Sequence, residues 1–181
     1  TPVSLSNRIA DALLTEGLHI EYSMFIRAES KAQERLPELV ECYEKIIRSG
    51  LRAVFLGVEA ANNVVLSKIM DKGGSVEDMY FTVKAIKQAS YNQKIHLDVG
   101  VSFIYPCPIP PDSDITHEQI LEENLHLHRK LKNENSKPDS VLITPGAALP
   151  ATTWQSEPGR FGFDLPAESD KTLLRYVYEP T

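Results

Sequence analysis

Gly50-Leu51-Arg52-Ala53-Val54-Phe55-Leu56-Gly57-Val58-Glu59 is the stretch that decides the fold. Gly50 stands where a helix needs a left-handed residue to stop. The nine residues after it alternate. Val54, Leu56 and Val58 take one parity, while Ala53, Phe55, Gly57 and Glu59 take the other, as in a strand with two unlike faces. Immediately before, Leu36, Leu39, Val40, Tyr43 and Ile47 recur at helical spacing. The same joint occurs one unit earlier. Ser4 or Ser6 is the expected cap of a helix whose face is Ile9, Leu13 and Leu14; Gly17 closes it, and Leu18 to Arg27 is the expected strand. There Ile20, Tyr22, Met24 and Ile26 oppose Glu21, Ser23, Phe25 and Arg27.

Towards the C-terminus the alternation continues. Asn62 or Asn63 opens a short helix with Leu66, Ile69 and Met70, which Gly73-Gly74 ends. Ser75-x-x-Asp78 and Thr116-x-x-Gln119 are capping boxes for two longer helices, the first carrying Met79, Val83 and Ile86, the second running to about Leu131. Between them Lys94 to Tyr105 is a strand with Leu97, Val99, Val101 and Phe103 opposite Asp98, Gly100 and Ser102. Pro106-Cys107-Pro108-Ile109-Pro110-Pro111 must be a loop, because proline offers no backbone donor. Ser140 to Thr144 is a fourth, apolar strand; residues 145–163 read as loop, with a last short helix near Lys171 to Val177. Strands alternating with helices predict an α/β fold: a partial (β/α) barrel, an open parallel sheet of about four strands flanked by helices. The domain is expected over residues 1–165, with 166–181 a C-terminal tail or short helix.

Composition narrows the function. The chain has 181 residues, 42% of them hydrophobic, which suits one globular domain. A net charge of -6 supplies no basic stripe, so no nucleic-acid ligand is expected. No apolar run is long enough for a membrane span, and no targeting segment is visible, so a cytoplasmic setting is expected. Two cysteines exclude a disulfide framework and any multi-cysteine metal site within the chain. Cys107 has no evident activating group, and His126 and His128, two apart on a helix, point to different faces. Glu118, Glu122 and Glu123 read as a solvated helix face. No nucleophile elbow, phosphate loop or dinucleotide fingerprint is present. The first residues, Thr1-Pro2-Val3, lack an initiator methionine, as an excerpt of a longer chain would.

A strand covered on both faces should be apolar on both parities. Here one parity stays polar or small: Ser23, Arg27, Glu59, Asp98, Ser102 and Thr144, with Gly57 and Gly100 leaving room. That is the inner wall of a ligand-holding barrel, and Arg27, Glu59 and Thr144 fall at strand C-terminal ends, where α/β folds place their sites. The structural alternative is that Arg27 and Glu59 pair with each other or with helix termini.

Gly50 to Asn62, continued by Met70-Asp71-Lys72-Gly73-Gly74-Ser75-Val76-Glu77-Asp78, resembles a passage of radical S-adenosylmethionine enzymes, in which a strand ends in Gly-Val-Glu-Ser and Lys-Gly precedes Ser/Thr-x-Glu-Asp. The cobalamin-associated branch is the nearest in character, because Phe25-Ile26-Arg27 matches its preceding strand end. Ala148-Leu149-Pro150-Ala151-Thr152 and Phe161-Gly162-Phe163 resemble the late loop of that family. The resemblance implies that the four strands are the third to sixth of a six-stranded partial barrel. It implies S-adenosylmethionine and a [4Fe-4S] cluster for the full-length protein, with cobalamin added by the branch. Cleavage of the cofactor to a radical that takes a substrate hydrogen is the implied reaction. Arg27, Glu59, Ser102 and Thr144 are the implied cofactor-binding residues, with Glu59 near the ribose and methionyl end and the strand backbone around Ser102 to Ile104 and the strand end at Thr144 near the adenine. Two departures accompany it. The Cys-x-x-x-Cys-x-x-Cys motif is absent, and Phe103-Ile104-Tyr105-Pro106-Cys107-Pro108 replaces the Phe-Ile-x-Gly-x-Pro of the family. The chain is therefore expected to be the C-terminal part of such a domain, inactive alone, with a small-molecule cofactor and a substrate as partners. Self-association through unpaired sheet edges is also expected. A non-catalytic α/β ligand-binding or protein-interaction module is the alternative.

Overall fold

The computed structural model describes residues 3–149, 151–163 and 176–177. Four strands, β1 (Tyr22–Ile26), β2 (Leu51–Glu59), β3 (Asp98–Ile104) and β4 (Ser140–Thr144), form one parallel sheet in sequential order. That order belongs to a barrel wall, not to a doubly wound sheet, where the order reverses. Helices α1 (Val3–Thr15), α2 (Leu36–Arg48), α3 (Val76–Gln93) and α4 (His117–Asn133) supply the connections.

The parities read from the sequence are the ones the sheet uses. Val54, Leu56, Val58, Val99, Val101 and Phe103 are buried together with Leu39, Tyr43, Ile46 and Ile47 of α2 and Met79, Val83 and Ile86 of α3. This is the main core, and all of it lies on one side of the sheet. Both capping boxes form. The Ser75 hydroxyl accepts from the Asp78 amide while Asp78 returns to the Ser75 amide, and Thr116 and Gln119 do the same at the start of α4. Asp78 also accepts from the Ala32 amide at 3.0 Å, tying the loop after β1 to α3.

Four expectations change. The first strand begins at Tyr22, not Leu18, because the Tyr22 amide donates to Gly50 and pairing starts only there. Helix α1 begins at Val3, before Ser4 and Ser6, and packs on α2 through Ser6 and Ala10, leaving Ile9 and Leu14 exposed. Small residues let the two helices approach, and the larger side chains are displaced to the flanks. Residues 145–149 and 151–163 hold short elements where a loop is expected: β5 (Ala147–Ala148), α5 (Thr153–Ser156) and a 3₁₀ turn (Pro158–Phe161). The last helix is not found at its C-terminal end, where β6 (Tyr176–Val177) pairs antiparallel with β5; residues 171–175 and the domain boundary at 165/166 lie outside the described residues.

These short elements build a second hydrophobic cluster above the strand ends, from Ala60, Val65, Ile69, Cys107, Ile109, Ile120, Ala148, Phe161 and Phe163. Among the described residues no helix is long and apolar enough to cross a membrane.

Candidate functional site

β2 ends irregularly. Gly57 pairs with Ser102 and Glu59 with Phe103, so Val58 is bulged out of the ladder. Glu59 closes the bulge with a φ of 65°, the left-handed region a glutamate seldom occupies. This turn swings its carboxylate back across the open face of the sheet, onto the spot where a Cβ at residue 57 would sit. Gly57 is therefore required for clearance.

Lys72 meets the carboxylate there. Its Nζ donates to Glu59 Oε1 at 2.7 Å and also to the Gly57 carbonyl, with its side chain only 11% exposed. Lys72 reaches this place from the loop after the short helix that Asn62 starts, Asn62 Oδ1 accepting from the Val64 and Val65 amides. That helix takes a π turn over Val65–Ile69, a form frequent at functional sites. Buried Asn124 of α4 accepts from the Ala61 amide at 2.7 Å, fixing the chain as it leaves Glu59.

Around this pair lies a cleft of about 530 Å³, bounded by Arg27, Phe55, Glu59, Lys72, Ser102 and Trp154, among others. Three of the four expected residues, Arg27, Glu59 and Ser102, line it. Arg27 is exposed at the end of β1, with no hydrogen-bond or ion-pair partner among the described residues. It does not pair with Glu59, so the predicted structural alternative takes a different form, with Lys72 as the carboxylate's partner. Thr144 lines a neighbouring pocket of about 950 Å³ that shares Met70, Asp71, Ile104 and Trp154 with the cleft. Gly100 differs from expectation: the Phe55 ring lies over it, where a Cβ would otherwise stand, and the space it lines is a separate pocket of about 140 Å³ that Glu59 does not reach.

Lys72 and Trp154 are absent from the sequence-derived site. Lys72 lies in the quoted Met70-Asp71-Lys72-Gly73 run, but nothing local says that it folds back on β2. Trp154 is the chain's single tryptophan, which is a compositional signal without a position.

The remaining candidates do not line the cleft. Burial pushes the Cys107 thiol up to about 12, against a weaker opposing backbone hydrogen bond. Cys42 on α2 accepts from Asn7. The two cysteines therefore do not fit a [4Fe-4S] cluster. A His96, Asp98 and Asp139 group stands at the N-terminal end of β3, opposite the cleft, but Asp139 Oδ2 is already taken by the Val99 amide and Lys87. An adenosyl sulfonium with its amino-acid tail does fit the cleft's donor set. Arg27 is a cation left for a carboxylate, Glu59 Oε2 has no hydrogen-bond partner among the described residues, and Ser102 adds a hydroxyl on the cleft wall.

No protein-family model matches the chain, and no curated protein does. Among solved structures, the apo cobalamin-dependent S-adenosylmethionine radical enzyme OxsB is similar over 70% of this chain and 16% of its own, with a TM-score of 0.53 at 19% identity. OxsB with aqua-cobalamin and S-adenosylmethionine bound covers the same shares with a TM-score of 0.49 at 20% identity. A protein of Burkholderia cenocepacia J2315, provisionally assigned as a phosphonomutase, gives 0.47 at 11% identity over 79% of this chain and 53% of its own. The chain thus spans about one sixth of OxsB, and the likeness to the apo enzyme shows the fold alone: an open parallel α/β sheet flanked by helices.

Proposed function

We propose that this chain is part of the catalytic barrel of a radical S-adenosylmethionine enzyme of the cobalamin-dependent kind, supplying cofactor- and substrate-facing strand ends. Any cluster cysteines would come from sequence outside it. The observation that supports this best is Glu59. It is held in a left-handed conformation at a strand C-terminal end, with Gly57 clearing its carboxylate and Arg27 and Ser102 on the walls of the same cleft. The cofactor, when bound with a reduced cluster, supplies the radical chemistry. This chain's residues bind and orient: Glu59 accepts from hydroxyl or ammonium donors, Arg27 neutralises a carboxylate, and Ser102 and Thr144 stand toward the adenine. Lys72 keeps Glu59 aimed at the cleft.

Calorimetric titration of S-adenosylmethionine into the iron-sulfur-reconstituted full-length polypeptide tests this reading. Glu59→Ala removes a charge-assisted hydrogen bond and should weaken binding about 10- to 100-fold. Equal affinities in the two proteins, with unchanged circular dichroism, would sink the assignment. The result would favour the second reading, a non-catalytic ligand-binding or interaction module, which the closed Glu59–Lys72 pair supports on its own.

A further inference from the structure

We infer that the pocket beside the Glu59 cleft is a separate binding site for a small carboxylate carrying an apolar ring. Its apolar lining is formed by Ile69, Ile104, Trp154 and Phe161, with Leu149 at the exposed rim. Trp154 cannot act there as a donor, because its Nε1–H is committed to the Ile69 carbonyl at 3.0 Å. That bond and the ring contacts with Phe161 and Phe163 hold the indole in place on the lining. Two nearby hydroxyls are also used internally, Ser67 donating to the Asn63 carbonyl and Thr152 to the Leu149 carbonyl. What remains for a polar group is the Thr144 and Thr153 hydroxyls, with no internal partner among the described residues, and charge. Lys68 and Arg160 are exposed cations on the lining, against Asp71 as the one acid there. A flat apolar body against Trp154 with its anion between Lys68 and Arg160 satisfies both parts of the pocket. Arg160 also contacts Glu157 at 3.0 Å, but that pair is well exposed and readily exchanged for a ligand anion.

The site stands independently of the cofactor assignment as a binding site, and rests on it only for the role of substrate pocket; Thr144, on its lining, is the edge it shares with the adenine end of the cofactor. The two clefts share Met70, Asp71, Ile104 and Trp154, so a ring held here lies next to whatever Glu59 binds.

Trp154, the only tryptophan, makes the test specific. The 181-residue chain is titrated with 3-phenylpropanoate and with its neutral alcohol, 3-phenylpropan-1-ol, reading tryptophan emission at wavelengths where the phenyl group is silent. The acid should shift the emission saturably and bind more tightly than the alcohol. Its affinity should fall with added salt. Lys68→Gln and Arg160→Gln should each weaken the acid about two- to five-fold and leave the alcohol unchanged. Leu149→Asp, at an exposed rim position, should abolish acid binding while circular dichroism stays native. Emission indifferent to millimolar acid, or acid and alcohol bound alike in all variants, overturns the proposal. S-adenosylmethionine affinity of the full-length Lys68→Gln protein, expected to be unchanged, separates failure here from failure at Glu59.

Discussion

Glu59 combines two opposed effects. Its left-handed backbone costs about 1 to 2 kcal/mol relative to an ordinary conformation, since its Cβ crowds the carbonyl that follows. Its carboxylate recovers part of this through Lys72. Substitution separates the two. Glu59→Ala and Glu59→Gly both lose the ion pair, but only glycine relieves the backbone, so Glu59→Gly should be the more stable by about 1 kcal/mol in urea denaturation. An alanine variant as stable as the glycine variant would show that residue 59 carries no backbone strain. The place of Glu59 at the C-terminal end of β2 was readable in the Leu51 to Glu59 alternation, although its carboxylate reaches the open face through the left-handed turn and not through strand parity. The bulge at Val58 was not readable, because it follows from how β3 pairs beyond Gly57.

At the scale of elements, the capping boxes of α3 and α4 were legible because each closes within four residues. The packing face of α1 was not, because apolar side chains and small ones offered competing rows and only contact with α2 chose between them. The joint between β3 and β4 depends on pH. Asp139 accepts from the Val99 amide at 2.7 Å and from Lys87 at 2.5 Å. Burial alone would raise its carboxyl; the Lys87 and Val99 hydrogen bonds and the Lys87 charge outweigh this and hold it below its ordinary 3.8. A depressed folded-state value stabilises the fold above the unfolded value. That stabilisation is lost as pH falls through 3.8 and below. Asp139→Asn should be less stable than the parent at neutral pH, and its stability should fall less steeply below about pH 4. Parallel stability curves in chemical denaturation across that range would contradict the assignment.

At the scale of the whole molecule, the helices among the described residues leave one edge of the sheet exposed. Val141 and Ile143 of β4 sit in register with buried Val101 and Phe103, yet they are 41% and 58% exposed. On the opposite face Phe25 of β1 is 77% exposed. An apolar edge strand with free backbone groups invites pairing with another chain. Sedimentation velocity should therefore show concentration-dependent association of the 181-residue chain, reduced by Ile143→Lys. A monomer at every concentration would refute this. The same reasoning divides what the amino-acid sequence determined from what folding decided. Helix caps, strand parity and the alternation of units depend on spacings of two to four residues, so the sequence by itself determined four strands in order, with Arg27, Glu59 and Thr144 at strand C-terminal ends. The contacts that complete the site span loops without periodicity: Lys72 reaches Glu59 across 13 residues, and Trp154 reaches Ile69 across 85. No local pattern encodes such a meeting. Only the tertiary structure could decide it, because packing of the second hydrophobic cluster brings the late loop over the strand ends.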